Sequence, residues 1–237
     1  MLRKRNALTI VEVIVVVIVL LLLAALLLPA TRSAPEAARL NSCRNRLKVI
    51  FLALYNYHDK HGHFPPAYTV DEEGNRLHSW RTLILPYLEQ QPLYDSIDLT
   101  KSWDDPVNAE ARKILLDCYT CPSTDLEEGM TTYVALVGSD WAFRGETPRS
   151  LDEFDDGTSR TLLFVEVDPK RAVHWMSPND HNEADGLPFD KDSKGVHPGI
   201  QQAAYVDGHI SSIQQDIDPE VLRGVMTIAG GEKLQID

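Results

Sequence analysis

The chain has 237 residues and a formal net charge of −12, which argues against nucleic acid as a partner because phosphate backbones are gripped by clustered lysine and arginine. Three cysteines allow one disulfide and leave a thiol over, so this is not a small scaffold held together by several bridges. Beyond the first thirty or so positions, about 200 residues remain, enough to bury a conventional core in one or two domains.

The chain opens with a basic head, Arg3, Lys4 and Arg5. From Leu8 to Leu28 it is then apolar except at Thr9 and Glu12, and Pro29 closes the run. About twenty apolar residues are what a helix needs to cross a bilayer, so the pattern predicts a single membrane-spanning helix over 8–29. The basic leader 1–7 would stay cytoplasmic and the rest would lie outside, a single-pass protein of the inner membrane. A removable signal peptide usually has a core of about 7–15 residues followed by small residues, and Leu26-Leu27-Leu28-Pro29 does not fit it. An ordinary signal anchor differs only in having no use for Glu12, whose carboxylate is costly at that depth.

Two prolines, Pro29 and Pro35, predict a kink or break between them. Helical spacing then resumes through Leu40, Cys43, Leu47, Ile50, Phe51, Leu54 and Tyr57, an amphipathic helix within 30–62 that ends at Gly62. Asp105-Pro106 predicts a helix start, with Val107, Ala111, Ile114 and Leu115 on its face. Strands are expected over 131–138, 161–167 and 171–176. A hairpin is expected around Asp207-Gly208, and a last helix from Asp218-Pro219 to Gly230-Gly231. The stretch 177–195, rich in Asp, Asn, Pro and Gly, reads as a long loop. The fold class is α+β: a long N-terminal helix on an antiparallel sheet, with 63–237 the globular part.

Candidate chemistry is sparse. Eight histidines are present, but no His-Glu-x-x-His, and His58, His61 and His63 fall where a helix ends. Asp190 to Gln201 opens like a calcium loop but has Gln where a bidentate Glu belongs, so calcium is retained only as a looser site in the acidic stretch 180–192, and no other cofactor is expected. His197 with Asp207 could belong to a triad, yet no serine or cysteine stands in a nucleophile context, and a structural His197 is the better reading. Cys118-x-x-Cys121 lacks both the βαβ surroundings of a redox motif and enough thiols for a zinc knuckle. No catalytic residue and no metal ligand is assigned.

The segment Arg5-Asn6-Ala7-Leu8-Thr9-Ile10-Val11-Glu12 with its apolar run resembles the N-terminal signal of type IV pilins and type II secretion pseudopilins. The resemblance implies cleavage by a prepilin peptidase between Ala7 and Leu8, methylation of the new terminus, and a role for Glu12, then fifth, in subunit assembly. Ala7 departs from the glycine usual there. Further residues carry a second resemblance: Cys43-Arg44-Asn45-Arg46-Leu47-Lys48, Phe64-Pro65-Pro66, Ser79-Trp80-Arg81, Cys121-Pro122-Ser123, Asp156-Gly157-Thr158-Ser159 and the tail motif of His197, Asp207 and Gly208. Together they are similar to a large pilin-like family, abundant in planctomycete-type bacteria, with a domain of unknown function numbered 1559. Pro35 and Arg160 depart from its pattern. Cys43 and Cys121 match the family while Cys118 is extra, which implies a Cys43–Cys121 disulfide in an exported protein. The resemblance implies a non-enzymatic subunit of a type II secretion or type IV pilus-like assembly. Its partners would be the peptidase, other pilin-like subunits and the membrane. The rival is a tethered module binding glycans or solutes through Trp141, Phe143 and Trp175.

Overall fold

The computed structural model describes residues 10–231, and among these the side chains outside 24–34. The chain divides into two units, Met1–Leu40 and Asn41–Asp237, and helix α1 (Ile10–His61) has residues in both.

In the first unit, every side chain from Ile10 to Leu23 is exposed. The membrane-spanning helix expected at 8–29 is not found: among the described residues, no helix is long and apolar enough to cross a membrane. The apolar side chains described end at Leu23, and Ile10 to Leu23 covers only about 20 Å at 1.5 Å per residue, short of a hydrocarbon core of about 30 Å. The basic leader and the Ala7–Leu8 cut lie outside the described residues. Nor does the helix break between its prolines, because α1 continues through Pro29 and Pro35. A proline removes one amide donor and bends a helix without obliging it to stop.

The second unit begins within α1. Cys43, Leu47, Ile50 and Leu54, spaced three or four apart, are all fully buried, while Val49 and Leu52 between them are exposed. The stripe is the amphipathic face expected from the spacing. The helix ends where Gly62 takes φ +80° and its amide bonds the carbonyl of His58 at 2.7 Å, a conformation that costs a residue with a Cβ.

A hairpin of β1 (Tyr68–Val70) and β2 (Arg76–Ser79) leads into the one-turn helix α2 (Trp80–Leu83), followed by α3 (Gln91–Asp95) and α4 (Ala109–Arg112). The helix expected from Asp105-Pro106 shrinks to a 3-10 turn and α4. Only Ala111 of its apolar face is buried, while Val107, Ile114 and Leu115 stay more than 40% exposed. Apolar spacing without a partner surface did not sustain the helix.

Strands β3 (Met130–Thr131) and β6 (Val173–His174) pair antiparallel. The main sheet runs β7-β4-β5-β8-β9, from β4 (Tyr133–Val137), β5 (Leu162–Glu166), β7 (His181–Asn182), β8 (Ile200–Tyr205) and β9 (Ile210–Gln214). It is antiparallel except at one edge, where β7 lies parallel to β4, so the stretch read as a free loop carries a strand. Period-two alternation sends Tyr133, Ala135, Phe164 and Ala204 to the face packed with the α1 stripe. Val134, Leu136, Val165, Ala203 and Tyr205 go to the other face, where Leu222, Val225 and Met226 of α5 (Pro219–Met226) cover them. A register shift between Leu162 and Phe164 lets neighbours Leu163 and Phe164 both join the α1 side. Beyond it, Val165 and Val167 face α5, and Glu166 is left facing α1.

The β8–β9 hairpin turns at Asp207-Gly208, as expected, with Gly208 at φ +90°. A Cβ there would sit 2.3 Å from Cε1 of Phe51 on α1, so the turn also rests on the helix. Ser79 caps α2 by accepting from the Arg81 amide at 2.9 Å. Arg81, fully buried, donates to Asp180 Oδ1 at 2.7 Å, and that oxygen also accepts from the Ala135 amide at 2.7 Å. The pair therefore ties α2, β4 and the segment before β7.

Burial raises the Asp180 carboxyl from the ordinary 3.8 to about 6, with the Arg81 charge opposing the rise. A carboxyl whose folded value is raised contributes stability that is complete below its unfolded value and is lost as pH climbs through the folded one. This group should therefore weaken the fold between about pH 4 and 6. Asp180→Asn should erase that slope and, by stranding the Arg81 charge, cost about 3–5 kcal/mol at pH 7. Urea midpoints of the two proteins across pH 4–7 would check both statements.

Candidate functional site

Four polar side chains converge inside the second unit, between α1 and the sheet. Cys43 comes from α1, Cys121 from the loop after the 3-10 turn Asp117–Tyr119, Glu166 from the end of β5 and His197 from the loop ahead of β8. None is more than 1% exposed. Their Sγ, carboxylate and imidazole atoms all lie within 4.8 Å of one another. Cys43 Sγ donates to Glu166 Oε1 at 3.4 Å and lies 3.1 Å from the Tyr133 hydroxyl. Cys121 Sγ is 3.5 Å from His197 Nε2, which is 3.8 Å from Glu166 Oε2. That second carboxylate oxygen is buried with no hydrogen-bond partner. Arg46 donates to the carbonyl of Thr120 and so holds the Cys121 loop against the helix.

The group shares its protons unequally. The hydrogen bond to Cys121, together with burial and the Glu166 charge, pushes the Cys43 thiol far up, while the same bond from Cys43, followed by one from His197, pulls the Cys121 thiol down. Burial, then the charge on Cys121, raises the Glu166 carboxyl well above the carboxylate range. Two sulfurs, an imidazole and a carboxylate at this spacing are donors suited to a borderline divalent cation, and the two sulfurs are also close enough to be oxidised together.

The residues singled out in the sequence are distributed as follows. Glu12 is an exposed residue of the first turn of α1. Cys43 and Cys121 meet as free thiols; Cys118 lies outside the group, and burial raises its thiol to about 11. His197 joins the buried four. Asp207 does not accompany it there: at the hairpin turn its Oδ1 pairs with His209 Nδ1 at 2.6 Å, beside Gly208. Phe143 and Trp175 are buried in the core, and Trp141 stacks on His181 at 6.0 Å, so these three form no exposed aromatic platform. Asp180 is committed to Arg81, and among the described residues the acidic stretch 180–192 brings no three ligand side chains together. Glu166 was missed. Its signal was a lone carboxylate inside the otherwise apolar run Leu162-Leu163-Phe164-Val165-Glu166-Val167.

A family described as a protein of unknown function, DUF1559, matches residues 32–142. The match supports the DUF1559 family for this chain. The DUF1559 stretch holds the stripe of α1, the Ser79-Trp80-Arg81 cap, Cys43 and Cys121; Glu166 and His197 follow it. No curated protein and no solved structure matches.

Mild oxidation of the metal-free protein with diamide should link Cys43 to Cys121 and leave Cys118 as a thiol, because the lowered Cys121 supplies the attacking thiolate beside Cys43. Non-reducing peptide mapping reads the outcome, and a Cys118–Cys121 link would show that local loop closure prevails instead.

Proposed function

We propose that this chain is a non-enzymatic, pilin-like subunit of a type II secretion or type IV pilus-like assembly. The observation that carries the reading is the first part of α1, where Ile10 and the apolar residues from Val13 to Leu23 are about half or more exposed on every side of the helix. A helix apolar all round has no solvent face of its own and is stable only when surrounded. Further copies of the same segment are the occupant that fits, since each copy has the same requirement.

The resemblance of 5–12 to a prepilin signal supports the same reading, with the peptidase cutting before Leu8 and Glu12 serving assembly. On this reading the Asn41–Asp237 unit lies outside the cytoplasm, at the inner membrane or beyond it. The non-enzymatic character is supported by the burial of the Cys121–His197 pair, each at 1% exposure, which keeps the pair off the surface.

In cells that make the full chain, Val16→Lys combined with Leu20→Lys should reduce cross-linked oligomers by about tenfold or more, equivalent to at least 1.4 kcal/mol per contact, because a lysine buried between helices has no partner. Circular dichroism should show the folded unit unchanged. Glu12→Ala should likewise be made but not incorporated. Oligomers at the unaltered level in both variants would leave the apolar segment without a role in assembly.

A further inference from the structure

We propose that Cys43, Cys121, Glu166 and His197 form a closed, four-coordinate site for a zinc-class divalent metal ion that staples α1 to the sheet. The inference is independent of the assembly reading, since it concerns only the Asn41–Asp237 unit.

Geometry comes first. A tetrahedral ion with bonds of about 2.3 Å to sulfur and about 2.0–2.1 Å to nitrogen or oxygen has donor–donor edges of about 3.3–3.8 Å. The edges found are 3.4 Å from Cys43 Sγ to Glu166 Oε1, 3.5 Å from Cys121 Sγ to His197 Nε2 and 3.8 Å from His197 Nε2 to Glu166 Oε2. These three edges, which reach both oxygens of Glu166, match such an ion, and one donor atom from each of the four residues lies within 4.8 Å of the others, drawn from four separate segments of the chain.

Electrostatics points the same way. A buried carboxyl oxygen without a hydrogen bond is unfavourable, and Glu166 Oε2 has none, His197 Nε2 standing off at 3.8 Å. A cation among the four would give that oxygen a partner and hold both sulfurs as thiolates, their protons passing to solvent. Tyr133 is positioned behind the site, its hydroxyl 3.1 Å from Cys43 Sγ, where it would donate to a coordinated thiolate. Two sulfur donors select against calcium and magnesium, which take oxygen, and favour zinc or a similar ion. Four protein ligands leave no position for water or substrate, so the ion would be structural.

The test uses the full chain, kept reduced and stripped with a chelator. One equivalent of zinc should bind per chain and raise the urea midpoint. Cobalt(II) in its place should give the intense visible bands of a tetrahedral ion with thiolate-to-metal charge transfer in the near ultraviolet. Glu166→Gln, which keeps the size of the side chain, should weaken zinc binding by about tenfold or more, and Cys121→Ser by more than that. Cys118→Ser should bind as the wild type does. Zinc should also protect Cys43 and Cys121 from diamide. The wild-type cobalt spectrum decides the matter even where a variant fails to fold. Octahedral cobalt bands without charge transfer, zinc bound with equal affinity by folded Cys121→Ser, or a Cys43–Cys121 disulfide forming at the same rate with and without zinc would each overturn the site.

Discussion

Everything in the Asn41–Asp237 unit depends on burying one stripe of α1 against the sheet. Cys43, Leu47, Ile50 and Leu54 are fully enclosed, and the strands opposite present Tyr133, Ala135, Phe164 and Ala204. A fully buried aliphatic side chain is worth about 1.5–3 kcal/mol, so a stripe of this length outweighs any single polar contact in the unit. The contact also sets details at a distance from it. Phe51 leaves no room for a side chain at residue 208, which makes the turn of the β8–β9 hairpin part of the helix interface. The irregularity in β5 puts two consecutive large residues on the helix side and, beyond it, returns Glu166 to that same face.

Two polar groups sit inside this apolar frame, and they are satisfied to different degrees. Arg81 reaches Asp180 and the carbonyls of Trp175 and Asn179, so its guanidinium is surrounded by acceptors. The pair costs desolvation but spreads it over several hydrogen bonds, and its effect is to fix where the segment before β7 crosses the sheet. The group around Glu166 is tighter and less complete. Its four side chains bring their donor atoms within 4.8 Å of one another, and one buried oxygen is left without a hydrogen bond.

Local signals were legible in the sequence where a single element decides the outcome. The stripe of α1, the Gly62 cap, the strands β4 and β5 and the Asp207-Gly208 hairpin follow from spacing and turn chemistry alone. The failures arise where tertiary context decides. Val107, Ile114 and Leu115 have helical spacing but no surface to cover, and the helix they implied is a 3-10 turn followed by the four-residue α4. β7 is two residues long and owes its existence to the edge of β4, which no local pattern announces. The apolar run at the start suggested a span of about twenty residues, and the described part of it does not reach that length. Of the candidate site, the pairing of Cys43 with Cys121 was implied by resemblance, and His197 was noticed but set beside Asp207 in place of Glu166. Four ligands separated by dozens of residues leave no spacing to recognise.

The order of strands in the sheet has a consequence for how the chain is made. β8 lies between β5 and β9, close to the middle of the sheet, yet it is among the last strands synthesised. Cys43 leaves the ribosome about eight to thirty seconds before His197 at roughly 5–20 residues per second. Throughout that interval the stripe on α1 has only part of its partner surface, and β5 presents an unpaired edge where β8 will later sit. A chain that lacks its final hairpin is therefore sticky along both features, and the arrival of β8 and β9 closes them together.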